Sequence, residues 1–160
     1  MKPAPEPTTK PAATQDAATQ ALRSSVEPQL ADTEALSPAE REKITTSLGK
    51  AGKAVKITTV TFLAASNKVG EKGKEKFKAA ADAPDVAKLK EAGAVFVVLG
   101  FGDSGVDRKT RIAGAQERAA FSATFLREKS GLQGSVYPVA MTNSEESGKA
   151  RTVELWAIVP

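Results

Sequence analysis

The chain has 160 residues, 41% of them hydrophobic, and its 23 basic and 19 acidic side chains give a formal net charge of +4. This length suits one ordinary domain. The sequence contains no cysteine and no histidine, which excludes disulfides, thiolate or histidine-ligated metal sites and the Ser-His-Asp triad. Residues 1–20 lack the apolar core of an export signal. We therefore expect either a cytoplasmic protein or a chain that begins after its export signal.

An uneven composition divides the chain into three parts. None of the twelve glycines precedes position 49, and six of the nine prolines fall within the first 38 residues. Because residues 1–35 offer few large aliphatic side chains to offset the entropy of ordering, we predict a flexible Pro/Ala-rich tether there. The Ser-Pro-Ala-Glu run at 37–40 has the pattern of a capping box and predicts a short capped helix over residues 36–49. Residues 50–160 are then expected to hold the single core.

Hydrophobic patterning predicts the elements of this core. They are a β-branched strand, a helix interrupted at Pro84, a continuous apolar strand, a second helix, a short edge strand containing Pro138, and an alternating strand. Their predicted positions are 55–63, 69–91, 94–101, 107–129, 135–141 and 151–159. The order β-α-β-α-β-β predicts an α+β fold in which two helices pack on a mixed four-stranded sheet.

A glycine-rich loop follows the continuous apolar strand. Gly100, Gly102 and Gly105 match the Gly-x-Gly-x-x-Gly pattern that precedes a helix in dinucleotide-binding domains. Only 55 residues follow Gly105, which is too few to complete a doubly wound sheet. The Asp103 carboxylate inside the loop would also repel a pyrophosphate. An acidic residue at this place instead suits a ligand that carries a cationic group.

The same stretch carries a family resemblance. The run Val97–Asp103 (VVLGFGD), followed fifteen residues after Asp103 by Arg118 and Ala119, resembles the OmpA-like peptidoglycan-binding domain. The likeness extends over most of Val55–Val159 and includes the terminal run Arg151–Leu155 (RTVEL). This resemblance implies an OmpA-like α/β sandwich that acts as a binding module and not as an enzyme.

The ligand that the resemblance implies is the stem peptide of peptidoglycan, held at diaminopimelate, whose far end bears an ammonium and a carboxylate on one carbon. Asp103 would accept from the ammonium, and Arg118, about 90° from the apolar stripe of its helix, would bind the carboxylate in a bidentate contact. The remaining candidate ligand-binding residues are Arg111, Arg151 and Ser104. No residue is predicted to be catalytic or to bind a metal, and no cofactor is expected. If the two residues have no ligand-binding role, they would instead form a surface salt bridge, or Asp103 would only cap the turn before the helix.

These features predict a periplasmic, outer-membrane-associated protein that fixes a tethered partner to the cell wall, with membrane contact only through an anchor absent from this chain. An alternative stays open, in which a degenerate domain binds other envelope proteins and not peptidoglycan. It depends on three departures from the family pattern: Gly102 for Thr, Arg111 for Asn, and Gly114-Ala115 for Leu-Ser. Residues 49–160 carry 18 basic and 12 acidic groups, a net charge of +6. They show no nucleic-acid-binding motif, so we expect no nucleic-acid partner.

Overall fold

The helices and strands follow the predicted order, and one further helix precedes them. The computed structural model describes residues 16–62, 70–103, 106–130, 132, 136–141 and 151–160. Within these residues the helices are α1 (Ala17–Leu30), α2 (Pro38–Lys50), α3 (Glu71–Ala81), α4 (Pro84–Glu91) and α5 (Arg108–Lys129). The strands are β1 (Lys53–Thr61), β2 (Val95–Gly100), β3 (Val136–Ala140) and β4 (Thr152–Val159). No helix in this part of the chain is long and apolar enough to cross a membrane.

A mixed four-stranded sheet forms the centre of the domain. Its strand order is β1-β4-β2-β3, with β4 antiparallel to both of its neighbours and β2 parallel to β3. The continuous apolar run of β2 is buried along its whole length, as expected for an inner strand covered on both faces. Pro138 lies in β3 at the edge of the sheet, where a missing N–H is tolerated. The predicted α+β fold class is confirmed.

Each face of the sheet carries its own layer of buried side chains. On one face, Phe77 of α3, Val86 of α4 and Leu126 of α5 pack against the strands. On the opposite face, α1 and α2 supply the cover, with Leu22 and Ile44 among the buried side chains. Alternation along the strands sends apolar side chains to both faces, so both require helices. The structure therefore adds a second helical layer to the two-helix sandwich that the sequence predicts.

The prediction of a flexible tether over residues 1–35 is wrong for the part that the structure describes. Helix α1 begins after Asp16, whose carboxylate accepts a hydrogen bond from the Thr19 N–H at 2.8 Å. Three large aliphatic side chains, spaced four residues apart, form one buried stripe on α1: Leu22, Val26 and Leu30. This stripe packs on an apolar sheet face, and that burial offsets the entropy of ordering the helix. Residues 1–15 lie outside the described residues.

Two local predictions are confirmed at helix starts. The capping box of α2 is complete, since Ser37 Oγ accepts from the Glu40 N–H at 3.2 Å and Glu40 Oε1 accepts from the Ser37 N–H at 2.9 Å. Pro84 breaks the predicted helix over 69–91, because Ala83 before it is extended and α4 starts at the proline. Both helices contribute buried side chains to the same core cluster, with Phe77 from α3 and Val86 from α4.

Two side chains fix the connection between α1 and α2 to the rest of the domain. Thr33 Oγ1 accepts a hydrogen bond at 2.9 Å from the N–H of Ala140, on the edge strand β3. Gln116 of α5 donates through Nε2 to the Asp32 carbonyl at 2.5 Å and accepts at Oε1 from the Glu34 N–H at 3.0 Å. The N-terminal helices are therefore tied to both the sheet edge and α5.

Candidate functional site

The turn that follows β2 lies directly against α5. A Cβ atom on Gly100 would stand 2.6 Å from the carbonyl oxygen of Ala115, and one on Gly102 would overlap the carbonyl oxygen and Cγ of Arg111. Glycine is the residue that fits at both places, so these two glycines of the loop permit close packing of the helix. A threonine, which the resemblance would place at 102, has no room there. The close approach brings the middle of α5 beside the turn that carries Asp103.

Asp103 and Arg118 form a buried ion pair. Arg118 Nη2 lies 2.6 Å from Asp103 Oδ1, and the side chains are 1% and 20% exposed, respectively. The short contact is not aligned as a hydrogen bond, so we treat it as electrostatic. Arg118 Nη1 donates to the Phe101 carbonyl at 3.0 Å, and the guanidinium carbon lies 5.6 Å from the centre of the Phe62 ring. This burial differs from the surface salt bridge that we expected if the pair has no ligand-binding role.

Helix α5 carries Arg118 on a buried face that is wider than predicted. The helix begins after Asp107, whose carboxylate accepts from the Thr110 N–H at 2.7 Å. This backbone hydrogen bond, followed by one from the Thr110 hydroxyl, holds the pKa of Asp107 below its usual value. The buried residues of α5 include Gly114 and Arg118 beside the predicted alanines and leucine. Arg118 therefore lies at the side of the predicted stripe, where it faces the turn that carries Asp103, and it is buried there and not at the surface.

A pocket of about 390 Å³ opens along α5 next to Asp103. The polar residues that line it, besides Asp103 and Arg118, are Lys109, Thr110 and Glu117, and its small residues are Ala113 and Gly114. Since positions 113 and 114 carry only a methyl group and a hydrogen, a hollow forms between the helical turns before and after them. The lining thus offers two carboxylates and two cations, which suits a ligand with charges of both signs.

The other predicted site residues have different positions. Arg111 is half-buried against Gly102 and is not among the described residues that line the pocket. Arg151 contributes through its backbone: its N–H donates to the Gly102 carbonyl at 3.0 Å, and its carbonyl accepts from the Phe62 N–H at 2.7 Å. Its φ of 60° lies in the left-handed region, which is uncommon for a residue other than glycine. Ser104 lies outside the described residues.

Three polar lining residues, Lys109, Thr110 and Glu117, and the small Ala113 and Gly114 were not predicted as site residues from the sequence. Helical spacing could have indicated two of them, because Thr110 and Gly114 stand eight and four residues before Arg118 and so lie on the same face of the helix. Lys109 and Glu117 lie beside this face of the helix, and no sequence pattern distinguishes them from other surface residues. Among the described residues, no group of Asp and Glu side chains is arranged to hold a metal ion.

The chain was compared with known proteins. No family model matches it, and no curated protein sequence matches it. Among solved structures, it is similar to the peptidoglycan-associated lipoprotein from Burkholderia pseudomallei, with 16% sequence identity and a TM-score of 0.46. The similarity covers 69% of this chain and 92% of that chain.

Proposed function

We propose that the protein binds peptidoglycan non-covalently through the diaminopimelate of the stem peptide, and so links an envelope protein to the cell wall. The observation that carries the proposal is the pocket beside Asp103, where acidic and basic side chains surround a hollow floored by Ala113 and Gly114. The resemblance of the run from Val97 to Asp103, with Arg118 at its spacing, supports the same ligand. The site of action would then be the periplasm.

The far end of diaminopimelate needs one acceptor for its ammonium and one cation for its carboxylate. Asp103 Oδ1 is buried against Arg118, so the exposed fifth of this side chain leaves Oδ2 as the oxygen that a ligand ammonium would reach. Each charge-assisted hydrogen bond of this kind stabilises a complex by about 1.5–3 kcal/mol. The ligand carboxylate would lie toward the cations of the pocket.

A second candidate function is an assembly module that binds another envelope protein and not peptidoglycan. One observation favours it: Arg118 is 1% exposed and already contacts Asp103, the Phe101 carbonyl and the Phe62 ring. An arginine held in this way already has a structural role without any ligand, because its removal would leave the Asp103 carboxylate without its counter-charge. Under this function, the pocket would be a by-product of small residues on α5.

Co-sedimentation with isolated sacculi separates the two functions. We expect the protein to sediment with diaminopimelate-containing sacculi and to stay in solution with lysine-containing ones, which lack the second carboxylate. Two variants should reduce retention by roughly tenfold or more. Asp103→Asn removes the charge that binds the ammonium. Ala113→Leu fills the exposed floor of the pocket while leaving the ion pair intact.

The matched control is Asp85→Asn, which neutralises an exposed carboxylate in the first turn of α4, away from the pocket. It should sediment like the wild type. Equal retention of wild type and Ala113→Leu on diaminopimelate-containing sacculi would reject the proposed site. No retention of the wild type on either kind of sacculus would reject peptidoglycan binding and favour the assembly module.

A further inference from the structure

The two cations that line the pocket differ in what they can reach. Arg118 is 1% exposed, and its terminal nitrogens face Asp103 Oδ1 at 2.6 Å and the Phe101 carbonyl at 3.0 Å. The Phe62 ring lies beside the guanidinium group. Lys109, in the first turn of α5, is exposed and lines the same pocket. A ligand that enters from solvent therefore meets the ammonium of Lys109 before it can meet the guanidinium of Arg118.

Turning Arg118 toward a ligand would also be costly. The move would break both its contact with Asp103 and its hydrogen bond to the Phe101 carbonyl. Lys109 can turn without such losses, since it is a flexible side chain at the surface. Ala113 lies one helical turn after it in the same pocket and carries only a methyl group, so no bulky side chain at that position separates the lysine from the pocket floor.

We propose that Lys109 binds the carboxylate of the ligand and sets specificity for it, whereas Arg118 is a positioning residue that fixes Asp103 and does not touch the ligand. This inference rests on the proposed function and refines its site. The pair Asp103–Arg118 then holds one carboxylate oxygen in place, so that the other faces the ligand ammonium. Lys109 supplies the positive charge that distinguishes a ligand with a second carboxylate from one without it.

The test compares two soluble muropeptides, a disaccharide tripeptide that ends in diaminopimelate and its lysine counterpart, by titration calorimetry. The readout is the ratio of the two dissociation constants. We expect wild-type protein to prefer the diaminopimelate form by roughly tenfold. In Lys109→Gln the ratio of the two dissociation constants should fall to near one, because only the diaminopimelate form has the second carboxylate that loses the Lys109 ammonium. Lys109→Arg should retain it. Lys76→Gln, which neutralises an exposed lysine in the middle of α3, is the matched control and should behave as wild type.

The positioning role of Arg118 has a separate signature. Arg118→Lys should weaken binding of both muropeptides by the same factor and leave the ratio of their dissociation constants unchanged. The reason is that a displaced Asp103 would contact the ammonium less well, and both ligands carry that ammonium. If Arg118→Lys no longer prefers the diaminopimelate muropeptide while Lys109→Gln still does, the inference is overturned and the proposed function stands. Equal affinity of the wild type for both muropeptides would overturn the inference and the diaminopimelate specificity together. If the wild type binds neither muropeptide, the proposed function itself fails.

Discussion

From the buried ion pair between Asp103 and Arg118 we predict how far the free energy of unfolding falls when one partner is removed. Asp103→Ala leaves a guanidinium that is 1% exposed without its counter-charge. Removing one partner of a buried pair costs about 3–5 kcal/mol. The hydrogen bond to the Phe101 carbonyl and the contact with Phe62 remain, so we expect a loss near the lower end, about 3 kcal/mol. The domain should stay folded, because this is less than the stability of an ordinary domain.

Substitution of Arg118, the other partner of the pair, should lower the free energy of unfolding by less. Arg118→Met keeps much of the buried volume but leaves the Asp103 carboxylate and the Phe101 carbonyl without the arginine. Because the Asp103 side chain is 20% exposed, water can hydrate part of it. We expect a loss of about 2 kcal/mol, within the range for a buried group that loses its partner. The double variant removes both charges, and its free energy of unfolding should also fall by about 2 kcal/mol. The two single losses together then exceed the loss of the double variant by about 3 kcal/mol, which is the coupling energy of the pair.

Urea unfolding, followed by circular dichroism, measures all four free energies of unfolding in this cycle. The matched reference is the exposed pair Lys78–Asp82 on α3, whose charged atoms are 2.8 Å apart and whose side chains are 60% and 39% exposed. The same cycle there should give a coupling below about 1 kcal/mol. If the coupling of Asp103 and Arg118 is equally small, the pair is screened by solvent, and the positioning role of Arg118 loses its physical basis.

Three further predictions concern the cap, the glycine turn and the N-terminal helices. Asp107→Ala should lower the melting temperature at neutral pH. Because the folded-state pKa of Asp107 is depressed, this contribution is present above the unfolded pKa of about 3.9 and disappears as the pH falls through the folded pKa. Asp107→Asn should show a weaker pH dependence, and identical acid profiles of wild type and Asp107→Asn would contradict this reasoning. Gly102→Ala should destabilise the domain, since its Cβ would overlap the backbone of Arg111, and an unchanged urea midpoint would refute the close packing. Deletion of residues 1–36 should lower the urea midpoint and increase binding of a hydrophobic dye, because it removes α1 and uncovers part of one sheet face, and an unchanged midpoint would contradict this packing.

Much of the central fold could be predicted from local patterns. The unbroken apolar run of β2 and the capping box at Ser37 each indicate a structure that depends on few distant residues. Pro84 ends a helix through a steric effect of its own ring. Such features are predictable because the cause and the result lie within a few residues of each other.

Helix α1 was missed because its signal is sparse. Leu22, Val26 and Leu30 stand at helical spacing, but the rest of the segment consists of small and polar residues together with Pro28 in its last turn. What stabilises the helix is the second apolar face of the sheet, which only the assembled strands define. The sequence alone does not show that this face needs a cover.

The candidate site could be predicted only in part, for the same reason. The motif led to Asp103 and Arg118, and the structure places them in contact. Whether Arg118 is exposed depends on how closely α5 approaches the turn, which Gly102 permits. Lys109 and Glu117 are surface residues of a helix, and they line a pocket only because Ala113 and Gly114 leave a hollow between them.

The most direct test of the account is an NMR titration of ¹⁵N-labelled protein with the diaminopimelate muropeptide. Binding in the pocket predicts saturable shifts of the amide signals of Asp103, Lys109 and Gly114, with those of α2 unchanged. The same titration of Ala113→Leu should give no shifts at these positions. Saturable shifts confined to other surfaces, or no shifts at any concentration, would contradict the claim that this pocket binds the peptidoglycan stem peptide.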